Sequence, residues 1–398
     1  MITRQFKEDR LSLLGFGLMR LPTLPDGSID QAQVTQMVDH AMANGVNYFD
    51  TAYPYHAGRS ELAIREALVE RYPRECFFLA TKYPGHQIAD SYDPAAIFEE
   101  QLQKCGVTYF DYYLLHNVYE NSLQVYTDPK WGIVDYFVEQ KKKGRIRHLG
   151  FSSHARPDTL EKFLRLRGSD MEFCQIQLNW LDWTLQNARE KVELLGRYDL
   201  PIWVMEPLRG GKLAALDKEA AAQLKALRPN DPIPAWSFRY LQRLPQVRMI
   251  LSGMSAMEQM EENVRIFRTE DPLSEKEAEA LAQLAEGMKD SLPCTACRYC
   301  TAGCPMGLEI PVLIATLNDL RYNLSAGLNA VMHLDALPED KLPQACISCG
   351  KCARICPQGI DIPAAMKELA DKVAQLPKWA DISRQREEAA KALREQLQ

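Results

Sequence analysis

The sequence predicts an α/β fold: a (β/α)8 barrel, or TIM barrel, followed by a small α-helical domain rich in cysteine. Three observations carry that prediction. Between residues 12 and 265, eight short apolar runs alternate with amphipathic helical patterns, and repeated βα units of that number and total length make a barrel. Eight of the eleven cysteines fall after Pro293, in two copies of one spacing. The length of 398 residues accommodates one large domain and a smaller one. The expected boundaries are 1–290 for the barrel, 291–378 for the cysteine-rich domain and 379–398 for a charged helical tail.

Taken in order, Leu13 to Leu18 is the first strand. Gln31 to Asn44 is a helix, because Val34, Met37, Val38, Ala41 and Met42 recur at helical spacing and Gly45 ends the segment. Asn47 to Asp50 is the second strand. A helix follows Ser60, then the strand Phe77 to Lys82. Asp93 and Pro94 supply a cap and a first-turn residue for a helix through Cys105. Asp111 to His116 is a strand, and the next helix runs through Lys143 to a stop at Gly144, its basic end favourable with the helix dipole. Ile146 to Ser152, Phe173 to Gln177, Pro201 to Met205 and Val247 to Leu251 complete the eight strands. Ser274 and Glu277 form a capping box that opens a helix through about Met288. Ile310 to Leu334 reads as helix, as does the charged end Asp381 to Gln398. A doubly wound sheet is the competing architecture. It wants a glycine-rich phosphate loop after an early strand, and Gly15-x-Gly17 is too short and lacks the third glycine.

The cysteines carry the sharpest signal. Cys294, Cys297, Cys300 and Cys304 precede Pro305; Cys346, Cys349, Cys352 and Cys356 precede Pro357. Each set reads C-x2-C-x2-C-x3-C-P, the bacterial ferredoxin spacing for a 4Fe-4S cube. Three thiolates of one loop reach one cube, and the fourth leads away toward the other. The expectation is therefore two crossed clusters, one on Cys294, Cys297, Cys300 and Cys356, the other on Cys346, Cys349, Cys352 and Cys304. Zinc predicts paired C-x2-C knuckles without a third cysteine, and a disulfide framework is compatible by count alone. Cys76, Cys105 and Cys174 read as ordinary core packing.

Composition narrows the class. A net charge of −6 argues against nucleic acid as a partner. No apolar run approaches a membrane span, and the N-terminal Met-Ile-Thr-Arg-Gln-Phe-Lys-Glu-Asp-Arg has no apolar signal region. The expected location is a reducing cytoplasm.

Chemistry in a barrel sits at the C-terminal ends of the strands. There the sequence places Asp50, then Tyr55 five residues on, Lys82 and His116. Together they supply an acid, its activating cation, that cation's counter-ion and an orienting imidazole. This suits hydride transfer to a carbonyl: a tyrosine protonates the developing oxyanion, and a nearby lysine is expected to lower the tyrosine's pKa.

Asp50-Thr-Ala-Tyr-Pro-Tyr55 with Ser60-Glu61, Ala80-Thr-Lys82, Leu114-Leu-His116 and Gly150-Phe-Ser-Ser153 resemble the aldo/keto reductase superfamily over about residues 10 to 270. With the cysteine tail, the chain resembles a bacterial branch carrying a C-terminal two-cluster ferredoxin-like domain. The resemblance implies that Asp50, Tyr55, Lys82 and His116 are the catalytic tetrad. It implies NADPH or NADH as cofactor, with Ser152 and Gln175 at the carboxamide and Ser153 where the family usually has asparagine. Met205 takes the place of the residue stacked on the nicotinamide. Gly253, Gln259, Glu262 and Asn263 fall in the adenosine-phosphate segment, Gly253 and Gln259 where lysine and arginine usually grip a 2′-phosphate. Arg209 or Lys212 are the compensating cations on offer.

The substrate implied is a small carbonyl or alcohol. Nicotinamide gives two electrons as hydride and a cube takes one, so three readings stand. The clusters are structural or sensing beside a carbonyl reductase. Alternatively they exchange electrons with a ferredoxin- or flavodoxin-like partner, or the barrel is a relic in a carrier or scaffold protein.

Overall fold

The computed structural model describes residues 1–376 apart from 88, 90, 289–290, 323–333 and 335–336. The chain falls into two compact units, Met1–Ala285 and Glu286–Gln398. The expected tail 379–398 and the latter part of the helix expected over Ile310 to Leu334 lie outside the described residues, apart from Leu334 itself.

The first unit opens with an antiparallel hairpin of β1 (Thr3–Phe6) and β2 (Asp9–Ser12), turned at Lys7 with a left-handed φ of 49°. Eight parallel strands follow: β3 (Leu14–Gly17), β4 (Tyr48–Asp50), β5 (Phe78–Tyr83), β6 (Phe110–Leu115), β7 (Ile146–Ser153), β8 (Cys174–Gln177), β9 (Ile202–Met205) and β10 (Val247–Ser252). They pair in chain order, and β10 closes on β3. This is the expected TIM barrel. Each helix buries its apolar stripe on the outside of the strands; Val34, Met37, Val38 and Ala41 of Gln31–Ala43 are all buried. The expected caps form. Asp93 accepts from the Ala96 N–H at 2.9 Å, with Pro94 in the first turn and Gly106 left-handed at the end. Ser274 and Glu277 close the capping box, the Ser274 N–H donating to Glu277 at 2.7 Å.

The hairpin was not legible as strand, because its turn has neither glycine nor proline and half of its residues are charged. Its role is to plug the barrel. Phe6 lies with ring centroids 5.0 Å from Trp203 and 5.1 Å from His148, and the buried Asp9 accepts from the Tyr112 hydroxyl at 2.8 Å. Above this plug Tyr48, Ala80, Tyr112, Phe173, Trp203 and Met249 fill the lower interior. Rings of this size fit because small residues face them. A Cβ on Gly150 would lie 2.5 Å from the Phe173 ring, and one on Gly15 would lie 2.7 Å from Leu251 and Met249. One expectation fails: Cys76 sits exposed in the turn Arg74–Cys76, while Cys105 and Cys174 are buried as expected. The run that suggested packing begins one residue later, at the buried Phe77.

The second unit has its own core. Leu313, Ile314 and Leu317 of the helix Ile310–Tyr322 pack with Ile362, Met366 and Leu369 of the helix Ile362–Val373. Asp361 caps the latter, accepting from the Ala364 N–H at 3.1 Å. Among the described residues no helix is long and apolar enough to cross a membrane.

Gly150→Ala tests the barrel packing. The added methyl must displace Phe173 in a filled interior, which should cost about 1–3 kcal/mol. A urea midpoint equal to that of the unsubstituted protein would show that the interior has room.

Candidate active site and cysteine cavities

Side chains alternate along a strand. The parity that turns Tyr48, Ala80, Phe173 and Trp203 into the lower barrel therefore turns Asp50, Lys82, Gln175 and Met205 to the same interior, two residues nearer the C-terminal mouth. Lys82 is fully buried. Its ammonium donates to the Asp50 carboxylate at 2.5 Å, the Thr51 carbonyl at 2.7 Å and the Tyr55 hydroxyl at 3.4 Å. Three protons meet three acceptors. Tyr55 enters from the turn Tyr55–Gly58 after β4, in which His56 and Ala57 are both left-handed; His56 Nε2 accepts the Leu21 N–H at 3.1 Å and ties that turn to the loop after β3. His116 follows β6 directly. Its ring meets Tyr55 edge-on, centroids 5.8 Å apart, its carbonyl accepts from the Tyr126 hydroxyl at 2.7 Å, and its Nδ1 is buried without a hydrogen-bond partner. All four expected residues come together.

Burial is the largest influence on each group. It raises the Asp50 carboxyl and lowers the Lys82 ammonium, each opposed by the other's charge. Tyr55 is pushed well above its usual value by burial, then by the charges of Asp50 and Glu206. The expected lowering by lysine does not occur: burial of the partly buried phenol disfavours the phenolate, and the Asp50 charge beside Lys82 adds to this. Tyr55 therefore keeps its proton. His116 is held well below its usual value by burial, with His86, Lys82 and His154 adding to the effect, so its imidazole is neutral.

The sequence reading missed four neighbours. The His86 ring lies 4.3 Å from the His116 ring, and burial pushes its pKa down to about 4. His154, just after β7, is pushed down to about 3 by burial and then by Lys191. Arg20, after β3, and Glu206, after β9, pair at 3.6 Å; burial raises the Glu206 carboxyl. The available signal was position alone, since each stands within a few residues of a strand end.

The expected cofactor positions divide. Ser152 and Gln175 are partners across β7 and β8. The Ser152 hydroxyl accepts the Asn117 N–H at 2.8 Å, and Gln175 Oε1 is buried without a partner. The Ser153 hydroxyl donates to the Val118 carbonyl and accepts the Ala155 N–H, holding its own loop. Arg209 differs from expectation. It is buried at 1% exposure, with Nε 3.1 Å from Asp182, so it is not a surface cation. Met205 ends β9. A Cβ on Gly253 would touch the Arg20 side chain at 3.4 Å. Gln259 accepts the Ser255 N–H at 2.8 Å, Asn263 donates to the Ser252 hydroxyl at 3.1 Å, and Glu262 is partly exposed.

In the second unit, Cys294, Cys297, Cys300 and Cys356 line one cavity with Pro311, Ile314 and Ile360. Cys304, Cys346, Cys349 and Cys352 line another with Leu308, Ile310 and Met366. Each cavity thus gathers three cysteines of one motif and the fourth of the other. The Cys300 thiol is pushed up to about 12 by burial, then by Cys297, Cys356 and Cys294. Four sulfurs in apolar walls suit thiolates whose charge iron shares. The cysteines form no disulfide. Among the described residues no three His, Cys, Asp or Glu groups close tightly enough for a single metal ion.

Residues 13–286 match the model of the aldo/keto reductase family. The chain belongs to that family. Residues 293–360 of this aldo/keto reductase match the 4Fe-4S dicluster domain. An uncharacterized oxidoreductase of Bacillus subtilis (strain 168) is 25% identical over 302 residues, 68% of this chain and 92% of its own. The NADH-specific methylglyoxal reductase of Escherichia coli (strain K12) is 25% identical over 324 residues, 70% of this chain and 96% of its own. The holo form of an aldo-keto reductase from Bacillus halodurans matches with a TM-score of 0.59 and 25% identity, over 71% of this chain and 96% of that one.

The depressed histidines set a pH dependence. In the unfolded chain each imidazole takes a proton near its usual value, whereas in the folded reductase His86 waits to about 4 and His154 to about 3. The unfolded state binds more protons across that window, so stability rises with pH. It is full above the unfolded pKa and falls as pH drops from about 6.5 toward 4, by at most about 1.4 kcal/mol per pH unit per group. Urea midpoints of the unsubstituted protein and of His86→Gln/His154→Gln, compared at about pH 7 and about pH 5, should show a flatter dependence in the variant. Equal slopes would place these imidazoles in water.

Proposed function

We propose that this aldo/keto reductase interconverts a small carbonyl and its alcohol by hydride transfer with NAD(P)H, and that its cysteines hold two crossed 4Fe-4S clusters. The observation that carries the first part is the Lys82 ammonium, fully buried and shared among Asp50, Thr51 and the protonated Tyr55. A nicotinamide, when bound, supplies the hydride to the carbonyl carbon. The Tyr55 hydroxyl gives its proton to the carbonyl oxygen as the C=O π bond breaks, leaving a phenolate. Lys82 stabilises that phenolate, and Asp50 keeps Lys82 charged and in place. The neutral His116 orients the oxygen by a hydrogen bond from its ring.

Gln175 Oε1, buried without a partner, fits an amide N–H of a carboxamide, with the Ser152 hydroxyl beside it. Met205 offers a thioether to the ring face. Glu262 and Asn263 stand at the adenosine end. Gly253 and Gln259 bring no cation to a 2′-phosphate, and Arg209 is engaged by Asp182. NADH is the first cofactor to assay, as the NADH-specific name of the Escherichia coli relative suggests, and NADPH the second, since Arg20 lies against Gly253 and Lys212 is close in sequence to Arg209. That relative's substrate suggests a small α-oxoaldehyde as the first compound to assay.

Tyr55→Phe should lower kcat by about 10²–10⁴-fold, leaving NADH affinity, read by fluorescence, nearly unchanged. Retention of kcat would remove Tyr55 from the chemistry. For the clusters, iron and acid-labile sulfide should each approach about eight per chain after anaerobic purification. Zinc without sulfide would refute them.

A further inference from the structure

We propose that the surface over the second cysteine set is the port at which an acidic one-electron carrier protein docks and passes electrons to the clusters. The proposal rests on the reading that Cys304, Cys346, Cys349 and Cys352 hold a 4Fe-4S cluster. Three observations point to this face.

The first is exposure. Cys349 is exposed, whereas Cys294 and Cys300 of the other set are buried. The wall between one cluster and water is thin on the side of the loop Cys346–Cys349, and electron transfer favours the shortest protein gap. The second is apolar surface. Ile347 is 60% exposed and Ile355 is 45% exposed. Ile347 lines the second cavity itself, so an apolar side chain that the fold leaves in water sits beside the cysteines. The third is charge. Between Asp340 and Asp361 the segment carries Lys341, Lys351 and Arg354 and no acidic residue, in a chain of net charge −6. Lys351 is exposed and lines the same cavity. The Lys341 ammonium donates at 2.7 Å to the carbonyl of Met306, another residue of that cavity. Lys341 also pairs with Asp340 at 3.5 Å, so the basic character of this face rests mainly on the exposed Lys351 and Arg354; at the first set Arg298 pairs with Glu309 at 2.5 Å.

An apolar centre with a basic rim fits a transient complex with an acidic protein. The apolar contact supplies affinity, and the charges steer approach and orientation. Because the chain as a whole repels an acidic partner, a local basic island selects one face. The transfer balances simply. The carrier is oxidised by one electron and the cluster is reduced by one; no bond forms or breaks. Basic groups beside anionic clusters also serve to offset charge, and the experiment separates that role from docking.

The probe is a reduced ferredoxin of strongly acidic surface, mixed anaerobically with the cluster-loaded full chain, with cluster bleaching followed by stopped flow. Lys351→Glu/Arg354→Glu should lower the second-order rate by about tenfold or more at low ionic strength, and added salt should slow the unsubstituted protein toward the variant. Arg298→Glu, at the other cavity, should leave the rate unchanged. Iron and sulfide content, and the extent of photoreduction by deazaflavin, must match among the three proteins. A fully loaded double variant reduced at the original rate overturns the proposal, as does an equal loss in Arg298→Glu. Absence of iron and sulfide from the unsubstituted protein overturns the cluster reading itself, and the port with it.

Discussion

The ammonium of Lys82 is the constraint around which the barrel unit is arranged. Removing such a charge from water costs several kcal/mol, recovered only when every proton finds an acceptor in good geometry. Here the acceptors are Asp50, Thr51 and Tyr55, all delivered by β4 and the turn behind it. That delivery requires β4 and β5 to hold one register, with Asp50 opposite Ala80 and Lys82 two residues beyond. A slip of one residue would turn Lys82 out among the helices and bring Thr81 or Tyr83 into the barrel. The chemistry and the register are thus one requirement.

The lower barrel supports that requirement. Tyr112 touches Tyr48, Phe173 and Trp203, and Phe6 of the hairpin closes the bottom. This aromatic packing excludes water beneath the site and sets its low dielectric. Low dielectric in turn keeps Tyr55 protonated and His116, His86 and His154 neutral. A mouth lined by neutral donors around the fixed Lys82 cation is organised to meet negative charge that develops on a substrate oxygen.

The second unit works from a smaller core. Among the described residues, the helices Ile310–Tyr322 and Ile362–Val373 with a few isoleucines and leucines enclose two cysteine cavities. Among the described residues that core is small, so ligation of a metal group would contribute directly to folding. The crossing of the fourth cysteines ties each motif to the other, so neither loop is positioned alone.

Much was legible in the sequence. Eight strands were visible because each is a short apolar run bounded by helical periodicity, and Asp93-Pro94 and Ser274-x-x-Glu277 marked helix starts through local hydrogen bonding. Asp50, Lys82 and His116 were visible because a titratable residue straight after an apolar run marks a strand end. The cysteine spacing announced its chemistry without any fold. What lay beyond the sequence depends on distant segments meeting. The Phe6 hairpin is a strand only because the barrel bottom needs a plug. Arg209 was open to a phosphate until folding placed Asp182 beside it, and the Ser153 hydroxyl proton was open to a cofactor until the Val118 carbonyl accepted it. The sign of the Tyr55 shift, and the presence of His86, His154, Arg20 and Glu206 around it, also required the tertiary structure. Periodicity and spacing report what a chain does within a turn or two; burial and the field at one atom are sums over residues that only folding brings together.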